Sequence, residues 1–223
     1  MPYAEKEVRT IRRHFATSEA LLGAAATESA FKARAPHARI LHLAAHNSLD
    51  VANVWQSKIE LARAPRLDQQ GEDGFLHAYE IFGLELSADL VVLSACDSGR
   101  GRLRRGEGLL GMSRAFLYAG APRLVASLWP VADQTTAELM RHFYGHLAAG
   151  LDTRRALQNA QTDLIRAGYT HPFYWSAFIL IGPAGVVKAQ GPPARSGVLW
   201  ALPMALLGAG TWVLRRRLWP KIK

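Results

Sequence analysis

The sequence predicts an α/β fold: a mostly parallel sheet flanked by helices, with a membrane-spanning helix added at the carboxyl end. Three observations carry this expectation. Short apolar, largely β-branched runs recur at Arg39–His46, Leu90–Ser94, Arg123–Leu128 and Trp175–Ile181. Each is about one strand long and continuously apolar, as strands covered on both faces are. The runs alternate with stretches of helical periodicity, which is the pattern of a parallel sheet with helices on its faces. Finally, Gly197–Leu214 is an uncharged run of 18 residues, at the short end of what crosses a bilayer.

With 223 residues, 49% of them hydrophobic, the chain has material for one sizeable core and an appendage. Glu5–Phe15 predicts an amphipathic helix, because Val8, Ile11 and Phe15 recur at helical spacing. Ser18–Leu22 reads as a short strand. Thr27 is placed to cap a helix running to about Arg34, and Pro36 closes it. The buried strand to His46 follows. Residues 50–74 are polar and rich in turn formers, with a short strand at Lys58–Leu61 and a hairpin or long loop at Gln69–Gly74. Ala78–Leu84 is a short helix leading into the strand that ends at Cys96. The Gly- and Arg-rich stretch Asp97–Arg105 is either a solvated loop or a cleft wall. Gly108–Tyr118 is a helix with Leu109, Leu110, Met112, Phe116 and Leu117 at its apolar positions and Gly120 just past its end. Trp129-Pro130 stops the third strand, Asp133 is the N-cap of a helix to Ala149, and Asp152 is the N-cap of Thr153–Ala167. The strand Trp175–Ile181 closes the domain.

The chemistry concentrates at two strand ends. Leu90–Leu93 leads into Ser94-Ala95-Cys96 and then a polar loop, and Cys96 is the single cysteine. Open α/β sheets place their ligand crevices at the carboxyl ends of such strands. A free cysteine there is either a small buried hydrophobe or a nucleophile. The run Arg39–Ala45 ends likewise in His46, before Asn47-Ser48-Leu49-Asp50. If the two strands are neighbours, imidazole and thiol can meet, which is the minimum for catalysis by cysteine. A separation of about fifty residues from His to Cys has precedent in caspases.

The residues Ile40–His46, Leu90–Gly99, Gly106–Gly111, Ala119–Ala121, Val125–Val131 and His171–Phe178 together resemble the CHAT domain, in order, over about Leu21 to Gly182. That family comprises caspase-like peptidases often attached to tetratricopeptide repeats. The resemblance implies a caspase-like fold, with His46 and Cys96 as a catalytic dyad. Two positions depart from the family pattern: Asn47 stands where Gly is usual, and Asp97-Ser98 where Glu-Thr is usual. Asn tolerates positive φ better than most residues and keeps its backbone N–H. CHAT domains usually begin with further structure, so the chain is either a piece of a longer protein or a shortened relative.

The expected reaction is peptide-bond hydrolysis through a thioester. Candidate oxyanion and cleft residues are Asn47, Asp97, Ser98, Gly99 and Trp129, with the backbone N–H groups of Cys96 and Asn47 as donors. Asp97 either meets a basic substrate side chain or pairs with Arg100 or Arg102. Trp129, after a strand end, is either core or cleft lining. The rival reading is a peptidase-like scaffold that binds a partner without cutting it.

The net charge of +9 is spread as scattered Arg clusters, with no basic stripe interleaved with aromatics, which argues against a nucleic-acid partner. The histidines show no metal spacing with Cys96, and His142 and His146 share a helix face with no acid or third ligand evident beside them; no metal or cofactor is expected. The expected partners are a protein substrate, a tetratricopeptide-repeat or other regulatory protein, and a membrane. The domain plan is a peptidase domain over 1–184, a Pro/Gly/Ala linker over 185–196, the spanning helix over 197–214 and a basic tail over 215–223. Trp200 and Trp212 sit where interfacial anchors do. The basic tail favours the cytoplasm, whereas Met1–Glu7 holds no apolar export signal, so the catalytic domain is expected on the cytoplasmic side.

Overall fold

The computed structural model describes residues 2–50, 52–63, 72–94, 107–130 and 132–187. In chain order the elements are α1 (Pro2–Arg12), α2 (Glu28–Arg34), β1 (Ile40–Leu43), β2 (Asn47–Ser48), β3 (Lys58–Glu60), β4 (Phe75–His77), α3 (Ala78–Phe82), β5 (Leu90–Leu93), α4 (Glu107–Tyr118), β6 (Leu124–Ser127), α5 (Asp133–Ala148), α6 (Thr153–Arg166), α7 (Pro172–Trp175) and β7 (Phe178–Ile181). Among the described residues the main sheet runs β1-β5-β6-β7. The first three strands are parallel and β7 joins antiparallel at the edge. The expected mixed α/β architecture, with a mostly parallel sheet between helices, is therefore present.

β5 shows why the apolar runs are continuous. All four of its residues are buried. Successive side chains of a strand point to opposite faces. Leu90 and Val92 join Ile11 of α1, Phe143 of α5 and Leu164 of α6 in one layer. Val91 and Leu93 join Phe31 of α2, Ile81 of α3 and Phe116 of α4 in the other. Each fully buried side chain of this size contributes about 1.5–3 kcal/mol from apolar burial.

Local signals fall where the sequence put them at several places. Thr27 accepts the Ala30 N–H at 3.2 Å and opens α2. Asp152 accepts the N–H groups of Arg154 and Arg155, both at 3.0 Å, and opens α6. Gly120 ends α4 with φ +113, and a Cβ there would stand 2.7 Å from the Leu86 carbonyl oxygen. Only a residue free of that Cβ closes the turn so tightly.

Other expectations change. Ser18–Leu22 forms no strand; the segment leads into a single 3-10 turn at Gly23–Ala25 instead. Asp133 is not the N-cap of α5: Ala132 holds that position without a side-chain bond, and Asp133 is the first helical residue. Its carboxylate still faces the positive end of the helix dipole. The strand expected from Trp175 starts at Phe178. Pro172 sits at the start of a helical turn, α7, and His171 caps it by accepting the Phe173 N–H at 3.2 Å. Proline's fixed φ favours that first helical position. A second sheet, β2-β3-β4, is antiparallel throughout. Its β2 and β4 are two and three residues long, too short for a period-2 pattern to register.

Candidate active site

β1 and β5 are adjacent and parallel, with Ile40 opposite Leu90 and Leu43 opposite Leu93. Every pair in that register differs by fifty positions, as 43 and 93 do, and so do His46 and Cys96 in the chain. Each of those two residues stands three positions beyond the last paired residue of its strand. The neighbour relation on which a Cys–His meeting depends is thus met at the level of the strands. Cys96 itself, with Asp97, Ser98 and Gly99, lies outside the described residues.

His46 is half-buried just past β1. Its carbonyl accepts the Glu60 N–H at 2.7 Å, so the small antiparallel sheet holds the backbone of this histidine. Its Nδ1 is buried with no hydrogen-bond partner among the described residues. A buried polar atom without a partner costs about 1–3 kcal/mol, so it is the kind of atom that marks a site of chemistry. β1 ends at Leu43, so His46 lies beyond the strand that carries His42. The chain breaks off the strand at Ala44, and the hairpin re-aims it.

Asn47 is buried in β2, opposite Ile59. No non-glycine residue among the described ones has positive φ, so the tolerance of Asn for that region is not used here. Trp129 follows β6, at the same sheet end as the last residues of β5. Its Nε1 donates to the Phe173 carbonyl at 3.0 Å, and the two rings lie 6.4 Å apart, nearly parallel. One flank of Trp129 packs on the helical core layer, so its position is partly core, while Phe173 stays exposed beside it.

His42 points the other way, into a buried polar group that the sequence reading missed. Its Nδ1 shares a 3.0 Å hydrogen bond with the Tyr144 hydroxyl. Its Nε2 lies 2.9 Å from Glu7 Oε1, at an angle outside that of a hydrogen bond. Ser94 Oγ donates to the same Glu7 oxygen at 2.6 Å. Burial, with the Glu7 charge adding to it, pushes the Tyr144 hydroxyl well above its ordinary value and keeps it neutral. The available signal was Glu7 one turn before Ile11, a carboxylate on the apolar flank of α1.

The helix face of His142 and His146 also differs from expectation. Asp163 of α6 stands between them: His146 Nε2 donates to its Oδ2 at 2.8 Å, and His142 Nδ1 lies 3.3 Å from the same oxygen. Acids thus do stand nearby: Asp163, brought in by α6 packing on α5, and Glu138 on α5 itself, 3.3 Å from His142 Nε2. No group of three His, Cys, Asp or Glu among the described residues is arranged to hold a metal ion. Burial opposes the Asp163 charge, but the His146 hydrogen bond and the electrostatic interactions with His142, His146 and Arg166 outweigh it and hold the carboxyl below its ordinary 3.8. A lowered carboxyl contributes stability above its unfolded value and loses it as pH falls through the folded one. Asp163→Asn is therefore expected to be less stable than the wild type at pH 7. That gap should shrink as pH drops below about 4, read by urea denaturation at a series of pH values.

A parallel-rich sheet with a histidine beyond one strand and the strand of a lone cysteine beside it defines a class. It is an α/β protein with its candidate residues at the carboxyl ends of parallel strands, where open sheets of this kind bind their ligands. The particular family follows from comparison: the chain belongs to the CHAT domain family, whose description matches residues 1–183. CHAT domains form a family related to caspase-like peptidases. The chain is similar to tetratricopeptide repeat protein 28 of Mus musculus, at 35% identity over 123 residues, 55% of this chain and 5% of that protein. It is also similar to tetratricopeptide repeat protein 28 of Homo sapiens, at 26% identity over 226 residues, 88% of this chain and 9% of that protein. The chain spans less than a tenth of the length of these curated relatives.

Proposed function

We propose that the chain is a caspase-like cysteine endopeptidase that cuts a protein partner through a Cys96–His46 dyad. The observation that carries the reading is the β1–β5 pairing, whose fifty-residue register equals the separation of the two residues. Family membership supports it, as does the unsatisfied Nδ1 of His46. In this mechanism His46 takes the thiol proton, and the Cys96 sulfur attacks the scissile carbonyl. The resulting oxyanion is met by backbone N–H groups, those of Cys96 and Asn47 being the candidates. The C–N bond breaks as His46 returns the proton to the leaving amine. Water, deprotonated by His46, then attacks the thioester carbonyl; the acid product leaves and the thiol re-forms.

The tetratricopeptide-repeat proteins among its relatives support a regulatory partner or neighbouring segment of that type. The segment 197–214 is proposed as a membrane anchor with the catalytic domain on the cytoplasmic side. The support for the anchor is the uncharged run, with Trp200 and Trp212 near its two ends and Arg215-Arg216-Arg217 following it; the basic tail taken alone favours the opposite orientation. That segment lies outside the described residues; among the described ones no helix is long and apolar enough to cross a membrane.

The test is hydrolysis of denatured protein by the full chain, with and without a tetratricopeptide-repeat partner, against Cys96→Ala. Cutting that Cys96→Ala abolishes establishes the peptidase. Partner capture that Cys96→Ala leaves intact, without cutting, favours the scaffold. Fractionation of the full chain against one ending at Arg195 tests the anchor: equal solubility of both without detergent removes it.

A further inference from the structure

We propose that Glu7 is a positioning residue that clamps the carboxyl ends of β1 and β5 from helix α1. α1 packs along α5, and Ile11 is buried with Phe143 and Tyr144. That seating carries the Glu7 carboxylate inside, where only 4% of the residue is exposed. One oxygen, Oε1, then serves both strands. It accepts from Ser94 Oγ at 2.6 Å, across 87 positions of sequence, and it sits 2.9 Å from His42 Nε2. Tyr144 closes the group from α5 through its bond to His42 Nδ1.

The placement is specific in two ways. A buried carboxylate is costly unless it is paired and hydrogen-bonded. Its hydrogen bonds are also stronger than neutral ones. Glu7 therefore binds where its partners are, and those partners flank the site: Ser94 precedes Cys96 by two residues and His42 precedes His46 by four. β5 and β1 are four residues each, so little ladder holds their ends together. The Glu7 clamp fixes the relative position of two short strand ends that a Cys–His dyad requires to be in register. Its importance for chemistry rests on the peptidase reading; its action on the strands does not.

The experiment is amide hydrogen exchange on the full chain, followed in peptides covering 40–46 and 88–94. Wild type, Glu7→Ala, Glu7→Gln and Ser94→Ala are compared with Leu164→Ala, a cavity in the same core layer away from the clamp. All are read at denaturant concentrations that equalise global stability. Glu7→Ala should speed exchange in the β5 peptide by about tenfold or more, the worth of a charge-assisted hydrogen bond, and in the β1 peptide by a smaller factor, because the contact with His42 is not a hydrogen bond. Ser94→Ala should do so in the β5 peptide alone. Glu7→Gln, which keeps an acceptor oxygen, should restore much of the protection, and it carries the test if Glu7→Ala does not fold. Acceleration in Leu164→Ala equal to that in the Glu7 variants, or none in the latter, overturns the clamp. In parallel, Cys96 alkylation is compared between wild type and His46→Ala. If these agree, the dyad reading fails on its own, and the exchange data still decide the clamp.

Discussion

Replacing His46 by Ala is expected to lower kcat/KM on a denatured protein substrate by about 10²–10⁴-fold, the usual worth of a positioned general base and acid. Folding should be little affected. The bond that anchors this residue runs from the Glu60 N–H to the His46 carbonyl, and a backbone carbonyl survives the substitution. The imidazole contributes a buried Nδ1 with no partner among the described residues, so removing it relieves a polar cost. Loss of activity with retained stability is the signature of a chemical role. The pH dependence of Cys96 alkylation gives the second readout. An ordinary thiol titrates near about 8.5, and one paired with imidazole titrates lower. The wild type should alkylate with the lower midpoint and His46→Ala with the ordinary one. A wild-type midpoint near the ordinary value, unmoved by His46→Ala, would favour a binding scaffold.

Phe116→Ala is expected to destabilise the fold by about 3–5 kcal/mol, because a ring deleted from a closed core leaves a cavity its neighbours cannot fill. Phe116 is fully buried, with Leu93, Leu124 and Ile81 in the same layer. Tyr118, two residues on, is 69% exposed. Its ring stacks on Phe82 at 3.7 Å between centroids. Tyr118→Ala should cost only about 0.5–1.5 kcal/mol, the range for an aromatic pair. Urea denaturation of both variants measures the contrast. Equal losses would mean that the Phe82–Tyr118 stack, not the layer under the sheet, holds α4.

These two substitutions also separate what sequence could and could not tell. Phe116 was legible because helices and strands announce themselves by periodicity and by caps that act locally. Thr27 and Asp152 bond to N–H groups within three residues of themselves. The run Leu90–Leu93 declared a strand covered on both faces, as found. His46 and Cys96 stand out in the sequence because each is a reactive side chain that ends an apolar run before a polar loop, but no local signal gives the adjacency of their strands. That adjacency is a matter of sheet order, and the β1–β5 register supplies it.

Other features had no local signal. Asn47–Ser48 becomes a strand only because Lys58–Glu60 comes alongside it, and a two-residue pairing leaves no pattern. The end of β1 at Leu43, three residues before His46, is decided by that same hairpin. Asp163 reaches His142 and His146 because α6 lies on α5, across a turn that composition does not orient. Glu7 reads as one more charge on an amphipathic helix until Ser94 and His42 are brought to it. Sequence determined the main helices and the buried strands of the larger sheet, because propensity, periodicity and capping operate over a few residues. Only the tertiary structure decided which strand ends meet and which carboxylate binds them, because burial and electrostatic pairing depend on distances in space that the order of residues does not contain.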